Sequence, residues 1–302
     1  MEFLLQQVIN GLTIGSVYAL VALGYTMIYG ILRLINFAHG ELFMLGSYLA
    51  FSFIASVGLV NVIPNLFLAI VVVFILSMGL VGFTGVAIER IAYKPLRHAG
   101  RLPAVVSALG VSIFMQNAVM LTYGTRYKVY PEGIIPTMAW EILGVEITLM
   151  RLIILGIAIS LMFTLYFFVQ KTMVGTAIRA IALDHDTSRL MGINVDSIIR
   201  LVFVIGPALG ASAGIMVGLY YRQINFTMGW AYGLRAFTAA ILGGIGNIPG
   251  AMIGGLLLGV AEAFGAGYVS PQWKDAIAFT ILILVLIFRP TGLLGERVAE
   301  KV

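Results

Sequence analysis

Long uninterrupted apolar segments dominate the chain, and short polar clusters separate them. No charged residue occurs between Glu2 and Arg33, and none occurs between Glu41 and Glu89. A helix of about 20 apolar residues crosses a bilayer. Nine segments are candidate spans. The seventh is short and rich in glycine, as is typical of a half-span or a re-entrant segment, so the predicted number of spans is eight to ten. The nine are residues 11–32, 42–57, 66–88, 102–123, 152–170, 201–221, 236–246, 249–268 and 276–288.

Composition decides what surrounds these segments. Hydrophobic residues make up 61% of the chain and charged residues 10%, whereas soluble domains carry about 25% charged residues. Such a chain needs lipid as the solvent for most of its side chains, and in lipid only helices and closed barrels satisfy the backbone. Barrel strands alternate apolar and polar residues over about ten positions, and the segments here do not. We therefore predict an all-α polytopic membrane bundle that forms a single domain over residues 1–302.

Positive charge predicts the orientation of the bundle, because loops rich in Lys and Arg stay in the cytoplasm. Twelve of the eighteen basic residues fall at Arg33, in residues 90–101 and 171–200, and in the C-terminal tail. This places the N-terminus outside and the C-terminus inside, and it requires the seventh and eighth segments to form a hairpin. Basic loops beside anionic lipid also account for the pI near 9.5, so no nucleic-acid partner is expected.

Signatures of enzymatic chemistry do not occur in the sequence. None of the five lysines follows a glycine, which excludes a Walker A phosphate loop. The three histidines, His39, His98 and His185, do not have the spacing of metal ligands. There is no cysteine and no Gly-x-Ser-x-Gly nucleophile turn. We expect no cofactor, no metal and no catalytic residue. Transport or conduction is the default function for a small polytopic protein with so little mass outside the membrane, and an integral-membrane enzyme is an alternative that no specific signal supports.

Small residues recur every four positions in the segment 201–221. Residues this small at this spacing let two helix backbones approach closely in lipid. We predict that this glycine stripe packs against another helix of the bundle, the alternative being direct contact with a solute. The stripe consists of Gly206, Gly210, Gly214 and Gly218.

Residues 175–196 are the longest polar segment on the predicted inner side. Thr176 to Leu183 has the pattern of a short helix, with an apolar stripe that includes Ile178, Ile181 and Ala182. Asp184 is a candidate N-cap for a second helix, with Gly192 at its C′ position, and Asp196 is a candidate cap for the following span. An ordinary loop needs no capped helix pair, so the segment predicts a docking element; a helix lying on the membrane interface is the alternative.

A polar cluster, Asn36, His39 and Glu41, lies between the first two apolar segments. Ionisable groups at membrane depth usually line a path or pair with one another, so these residues are candidates for the translocation path. The structural alternative is that Asn36 caps the second helix, Gly40 allows tight packing and Glu41 pairs with Arg33. Both interpretations remain open from the sequence.

Two long motifs and two shorter ones resemble the membrane permease of branched-chain amino-acid ABC importers, of the LivH type. The long motifs are GYTMIYG running into INFAHGE at residues 24–41, and RAIALD followed by RLMGINV at residues 179–195. The short ones are LGGIGNIPGA at 242–251 and RPTGLLG at 289–295. The resemblance covers nearly the whole chain.

The resemblance implies a bacterial inner-membrane heterodimer of two related permeases, with two ATPase subunits and a periplasmic protein that delivers leucine, isoleucine or valine. ATP hydrolysis would then belong to separate chains. The family's coupling loop corresponds to residues 171–196 here. We expect its docking contact to be mainly apolar, through Ile178, Ile181 and Leu190, with charged side chains fixing the register. The residues expected to couple to the ATPase are Gly175, Ile178, Arg179, Ile181, Ala182, Asp184, Arg189, Leu190 and Gly192.

Three other functions are alternatives to a branched-chain amino-acid permease. An ion-coupled secondary transporter could use Glu41 and Glu262 as ion sites, but it has no need of a docking helix. A channel lacks support, since nothing resembles a filter loop. A related ABC permease for urea or short amides is an alternative within the family, because the motifs report architecture more than substrate.

Overall fold

A computed structural model of the chain describes residues 2–97, 99–131, 133–134, 138–142 and 144–295. His98 and the tail residues Arg297 and Lys301 lie outside this part. The described structure is mainly helical and contains twelve α-helices: α1 (Glu2–Leu32), α2 (His39–Phe51), α3 (Leu59–Val62), α4 (Leu66–Ile88), α5 (Arg101–Tyr123), α6 (Leu149–Lys171), α7 (Met173–Leu183), α8 (His185–Leu190), α9 (Val195–Tyr221), α10 (Met228–Gly243), α11 (Ile248–Tyr268) and α12 (Lys274–Phe288).

Seven helices of the described part are long and apolar enough to cross a membrane: α1, α4, α5, α6, α9, α11 and α12. The other two predicted segments are shorter helices. α2 has 13 residues and continues as a π-helical stretch, Ser52–Ser56, and α10 has 16 residues. Each of the nine segments predicted from the sequence therefore corresponds to a helix, and the chain is a polytopic membrane bundle.

Four short strands occur beside the helices in the described part of the chain. β1 (Lys128–Val129) pairs antiparallel with β4 (Gln223–Ile224), and β2 (Ala139–Ile142) pairs with β3 (Val145–Thr148) in a hairpin. The all-α prediction did not include them. The start of α1 is fastened to the hairpin, because the backbone N–H of Glu146 donates to the Gln6 side chain at 2.9 Å.

The helix ends define two ends of the bundle. We call the end that holds the β2–β3 hairpin and the start of α1 the hairpin end. The opposite end holds the last turn of α1, the α7–α8 pair and the turn between α10 and α11, and we call it the α7–α8 end. Here the Arg33 guanidinium donates to the carbonyl oxygen of Ala182 at 3.0 Å. A Cβ atom on Gly30 would lie 3.9 Å from Gly246.

α1 is the central helix of the bundle. In its 18-residue apolar stretch, 83% of the residues are buried. In the corresponding stretch at α12 only 6% are buried, so α12 faces outward. α1 packs mainly against α11, α9 and α10. The contact with α11 is a backbone-to-backbone one: a Cβ on Gly15 would lie 2.9 Å from the carbonyl oxygen of Gly255, and a Cβ on Gly259 would lie 2.2 Å from the Cα of Gly15. Glycines four residues apart on both helices allow this approach.

A proline shapes the contact between α9 and α4. Pro207 lies inside α9 and has no backbone N–H, so it leaves the Phe203 carbonyl without its usual helical donor. That carbonyl faces Gly85 of α4, where a Cβ would lie only 2.1 Å from the oxygen. Gly85 therefore lets the two helices close over a break in the hydrogen bonding of α9.

Two glycine-rich motifs about 50 residues apart in the sequence meet at the α7–α8 end. α10 and α11 form the helical hairpin that the predicted topology requires, with Gly243 packed against Gly250. The chain after α12 returns to this turn: Leu293 N–H donates to the Leu242 carbonyl at 2.9 Å, and Asn247 Nδ2 donates to the Leu294 carbonyl at 2.8 Å. The end of α12 and the α10–α11 turn therefore lie on the same side.

Candidate functional site

The polar segment between α6 and α9 folds into two short helices, α7 and α8. Thr172 begins the first, since its Oγ1 accepts the backbone N–H of Gly175 at 3.0 Å. Asp184 begins the second, and its Oδ1 accepts the N–H groups of Asp186 and Thr187, both at 2.9 Å. The predicted helix pair with Asp184 as N-cap is confirmed, although the first helix starts three residues earlier than predicted.

The end of this pair agrees with the prediction in one respect and differs in another. Gly192 has φ +83° and donates its N–H to the Arg189 carbonyl at 3.0 Å, which confirms its C′ position. The predicted cap of α9 is wrong: Asn194 caps the helix by accepting the Ser197 N–H at 3.1 Å. Asp196 already lies in the first turn and pairs with Lys94 at 3.0 Å and with Arg97 at 2.7 Å.

The exposed surface of α7 and α8 differs from the predicted docking surface. Ile178 is 6% exposed and Ile181 is fully buried against the same chain, so neither is available to a partner. Their apolar stripe packs on the membrane helices instead, while Ala182 is partly buried. Large apolar side chains project outward from other positions. These exposed apolar residues are Met173, Leu183, Leu190 and Met191, each at least 78% exposed.

The polar residues predicted to couple have different surroundings. Arg179 is held within the chain, because its guanidinium donates to the Gln170 carbonyl at 3.1 Å and to the Gln170 side chain at 2.5 Å. Arg189 is exposed and lies 3.5 Å from Asp186. Gly175 is buried where a Cβ would lie 2.2 Å from the Val169 carbonyl oxygen, so it lets α7 fold back closely on the end of α6.

Two contacts attach this helix pair to the central helix. Arg33 donates to the Ala182 carbonyl at 3.0 Å, and the His185 Nε2 lies 2.7 Å from the carbonyl oxygen of Ile31. Arg33 also adopts φ +55°, a left-handed conformation that is unusual for a residue other than glycine. The C-terminal end of α1 is therefore hydrogen-bonded to both short helices, through Ala182 of α7 and His185 of α8.

The polar cluster Asn36, His39 and Glu41 is almost completely buried, with each residue at most 1% exposed. Asn36 holds the entry to α2: its Oδ1 accepts the Ala38 N–H at 3.1 Å and the Tyr93 hydroxyl at 2.9 Å. The N-cap of α2 is Ala38, and no side chain caps this helix. The predicted cap at Asn36 is therefore wrong: Asn36 lies two residues earlier and bonds to the N-cap residue, which fixes the turn that leads into α2.

His39 fills the space between α1 and α9. A Cβ on Gly24 would lie 2.2 Å from the imidazole Nε2, and one on Gly210 would lie 3.4 Å from it. The ring of Tyr25 meets the imidazole edge to face at 4.7 Å. The next residue, Gly40, packs on α10, where a Cβ would lie 2.3 Å from the Gly229 carbonyl oxygen.

Glu41 does not pair with Arg33, so that part of the structural interpretation is wrong. Its Oε1 accepts the Ser112 hydroxyl of α5 at 3.3 Å, and Oε2 faces Gly229 of α10. Arg33 points to Ala182 instead, because the left-handed turn at Arg33 separates the end of α1 from the buried start of α2.

The glycine stripe of α9 faces the interior of the bundle. Gly206 approaches Gly24 of α1, Gly210 faces the His39 ring, and a Cβ on Gly214 would lie 2.0 Å from the Phe43 carbonyl oxygen of α2. Gly218 lies against Ile224 and the Tyr130 hydroxyl. The stripe therefore sets the distance of α9 from two helices, α1 and α2.

Comparison with known proteins identifies the family of this bundle. The family described as "Branched-chain amino acid transport system / permease component" matches residues 7–286. The chain belongs to this family. The permease is 50% identical to the high-affinity branched-chain amino acid transport system permease protein BraD of Pseudomonas aeruginosa, over 99% of this chain and 98% of BraD. It is 45% identical to the corresponding permease protein LivH of Escherichia coli strain K12, with the same coverage.

A more distant relative shows how far this architecture extends. The permease is 26% identical to the ribose import permease protein RbsC of Haemophilus influenzae, over 94% of this chain and 85% of RbsC. The resemblance inferred from the four motifs is thus confirmed, and the chain is a multi-pass transport permease.

Several residues at the α7–α8 end were not singled out in the sequence. Leu183 and Met191 are exposed although they are apolar, and His185 and Thr172 fasten the helix pair. Leu183 carried a usable signal, because it lies two residues after Ile181 and five after Ile178. Residues share a helix face at spacings of three or four, so these spacings place Leu183 on a different face from the stripe. The bond from His185 to Ile31 spans 154 residues of sequence and had no local signal.

Proposed function

We propose that this permease is one of two membrane subunits of an ATP-driven importer that carries leucine, isoleucine and valine from the periplasm to the cytoplasm of a bacterial cell. The observation that carries the proposal is the 50% identity to BraD over 99% of the chain. The match covers 99% of the chain, so it takes in both the membrane core and the coupling segment. A periplasmic binding protein delivers the amino acid, and two ATPase subunits supply the energy.

The ATPase subunits dock at the α7–α8 end. The exposed apolar residues Leu183, Leu190 and Met191 support this role, because large apolar side chains at 78–88% exposure are unfavourable in water and typical of a protein contact. Arg189 and Asp184 at the same surface fix the register of the partner. Ile178 and Ile181 act from beneath by holding α7 on the membrane helices.

Movement of the docked ATPases reaches the membrane through α1. The bonds from Arg33 to Ala182 and from His185 to Ile31 support this route, since a displacement of α7 and α8 pulls directly on the last turn of the central helix. α1 in turn packs on α9, α10 and α11 through closely spaced backbones. Dense packing transmits such a displacement with little deformation.

Asn36, His39 and Glu41 serve mainly to assemble α1, α2, α9 and α10 rather than to line the translocation path. Their burial within one chain and the packing of the His39 ring between Gly24 and Gly210 support this role. His39→Ala should therefore reduce the amount of assembled importer, since removing a large buried side chain costs about 2–5 kcal/mol. Quantifying assembled complex and uptake per complex separates the two roles. Normal assembly with reduced uptake per complex would instead favour the path.

The N-terminus and the hairpin end face the periplasm, and the α7–α8 end and the C-terminus face the cytoplasm. This orientation is supported by the distribution of Lys and Arg and by the docking role of α7 and α8, because ATP is available only inside the cell.

Reconstitution into liposomes tests the function. With the second permease, both ATPases, the binding protein and ATP inside, the complex should accumulate labelled leucine. This chain alone should transport nothing under a proton or sodium gradient. Uptake by the isolated chain under an ion gradient would contradict the proposal in favour of a secondary transporter. Uptake of urea, a short amide or a sugar in preference to leucine would keep the ABC mechanism and overturn the substrate.

A further inference from the structure

A cavity of about 210 Å³ opens at the hairpin end, among α1, α6, α9, α10, α11 and the start of α12. It lies inside one subunit, and charged and aromatic side chains from all six helices line it. Those that carry the argument are Tyr18, Arg151, Tyr232, Arg235, Glu262 and Lys274. A polar cavity of this size among membrane helices suits a small metabolite, since drug-sized ligands occupy larger pockets.

Glu262 presents an incompletely bonded carboxylate to this cavity. The residue is only 3% exposed, and the Tyr18 hydroxyl donates to its Oε2 at 2.8 Å. Within the described part of the chain, Oε1 has no hydrogen-bond partner. The nearby Arg235 Nε is 3.6 Å from Oε1, which is too far for a hydrogen bond. A buried carboxylate oxygen without a donor is unfavourable, so this atom is placed to accept a bond from a ligand.

Arg235 supplies the opposite charge at the same wall. Its guanidinium donates to Asp275 Oδ1 from Nε at 3.0 Å and from Nη2 at 2.5 Å, and to the Tyr18 hydroxyl from Nη1 at 3.4 Å. These bonds use three of its five N–H groups. The guanidinium also lies 5.8 Å from the centre of the Tyr232 ring. Arg235 is thus fixed in place with donors to spare.

We propose that this cavity binds one zwitterionic amino acid with an aliphatic side chain, held by Glu262 and Arg235. The ligand's ammonium group donates to Glu262 Oε1, and its carboxylate accepts the remaining N–H groups of Arg235. The aliphatic side chain lies along Ile14, Ala263 and Ala266, which also line the cavity. The inference rests on the proposed function for the identity of the amino acid, and it adds a binding site within the membrane subunit itself.

The arrangement of charges favours a zwitterion over a simple ion. A lone cation would satisfy Glu262 but would meet Arg235, Arg151 and Lys274, which line the same cavity. A lone anion would be attracted by these three groups but would leave Glu262 Oε1 without a donor and close to a second negative charge. A ligand that carries an ammonium group and a carboxylate on the same carbon supplies a donor to Glu262 and an acceptor to Arg235. Neither side chain is then left without a partner of opposite charge.

Protection of an introduced cysteine tests the site. The chain has no cysteine, so Ala266→Cys adds a single thiol at the cavity wall. The complete importer carrying this substitution is reconstituted without the binding protein and treated with a membrane-impermeant maleimide, and labelling is followed on this chain. L-leucine should slow the labelling. Leucinamide, which lacks the carboxylate, and 4-methylpentanoate, which lacks the ammonium group, should each require about tenfold more for the same protection, because each loses one charged hydrogen bond.

Three variants serve as matched controls. Val269→Cys lies just beyond the same helix and is 67% exposed, so leucine should not slow its labelling. Glu262→Gln keeps the size of the side chain but removes its charge, and in the Ala266→Cys background it should abolish protection by leucine. Glu141→Gln makes the same chemical change on the exposed strand β2 and should leave protection intact. Recovery of the Glu262→Gln importer with all of its subunits, at the gel-filtration volume of the parent, shows that the subunit is folded.

The outcomes distinguish this inference from the proposed function. If the importer takes up leucine and leucine does not protect Ala266→Cys, the cavity is not an amino-acid site, although the function stands. Equal protection by leucine and 4-methylpentanoate would likewise overturn the inference, because it would indicate an anion site. If the importer does not take up leucine at all, the proposed function fails whatever the labelling shows.

Discussion

The four glycines of the α9 stripe face different neighbours, and their tolerance of a side chain should differ accordingly. A Cβ on Gly214 would lie 2.0 Å from the Phe43 carbonyl oxygen, and this neighbour is backbone that cannot rotate away. A Cβ on Gly210 would lie 3.4 Å from the His39 ring and 3.8 Å from the Phe43 nitrogen. The first position has no room for a methyl group, whereas the second allows ordinary van der Waals contact.

Alanine should therefore be tolerated at Gly210 but not at Gly214. Gly214→Ala should destabilise the permease by about 1–3 kcal/mol, the usual effect of forcing an extra group into a packed core. Gly210→Ala should be close to neutral, because the helix propensity of alanine, roughly 1 kcal/mol better than that of glycine, offsets a slight crowding. Both effects on stability are measured by heating the detergent-solubilised complex and determining by gel filtration how much intact complex remains at each temperature. Gly156→Ala, with nothing within 4 Å of its Cβ, is the control. Equal melting of the Gly214 and Gly210 variants would refute the packing argument.

The sequence predicted this stripe but not how much space surrounds each of its glycines, and the reason is geometric. Spacing by four residues specifies that Gly206, Gly210, Gly214 and Gly218 share one face of a helix. It does not specify which helix meets that face or how deeply. The same limit applies to Glu41: its burial between Ser112 and Gly229 depends on α5 and α10, which are distant in sequence, so the nearer Arg33 was wrongly predicted as its partner.

At the scale of elements, the helix pair α7 and α8 shows what amphipathic periodicity can and cannot predict. The pattern correctly predicted two capped helices and an apolar stripe through Ile178 and Ile181. It could not decide whether the same chain or a partner covers the stripe, because burial in either place gives the same pattern. In the structure the chain itself covers the stripe, and Leu183, Leu190 and Met191 remain exposed.

A charge introduced at an exposed apolar position of α7 and α8 should have a different effect from a charge introduced at a buried one. Leu190→Asp places a carboxylate on the docking surface and should release the ATPases while the two permeases remain together. Ile181→Asp places it in the core of the chain and should prevent the permease from folding, since a buried charge without a partner costs about 3–5 kcal/mol. Leu190→Met keeps the surface apolar and should retain the ATPases.

Co-purification from detergent, with the second permease and the ATPases quantified separately, distinguishes these results. Retention of both ATPases by Leu190→Asp at full stoichiometry would show that α8 is not part of the docking surface. Recovery of folded Ile181→Asp without its ATPases would show that the buried stripe becomes exposed in the assembled importer.

At the scale of the whole molecule, hydropathy predicted the order of the apolar helices, because long apolar segments need lipid around them. It overestimated the number of spans, since seven helices of the described part are long enough to cross a membrane and α2 and α10 are shorter. Predicted boundaries were less accurate where charge enters a helix. Segment 236–246 was predicted to start after Arg235, yet α10 begins at Met228. Arg235 is tolerated inside the helix because Asp275 and Glu262 neutralise it, and both belong to elements later in the chain. The short strands β1 to β4 carried no apolar signal strong enough to detect.

The orientation of the whole bundle is the last feature that the charge pattern predicts, and the absence of cysteine makes it directly testable. Trp140 is 46% exposed on the β2–β3 hairpin, and Arg289 is exposed where the chain leaves α12 at the opposite end. In intact spheroplasts that express the complete importer, a membrane-impermeant maleimide should label Trp140→Cys. It should label Arg289→Cys only after the membrane is opened, because the twelve basic residues assigned to that side hold it in the cytoplasm. The cysteine-free parent gives the background. Labelling of Arg289→Cys in intact spheroplasts, with Trp140→Cys protected, would invert the bundle, and the α7–α8 end would then face a compartment without ATP.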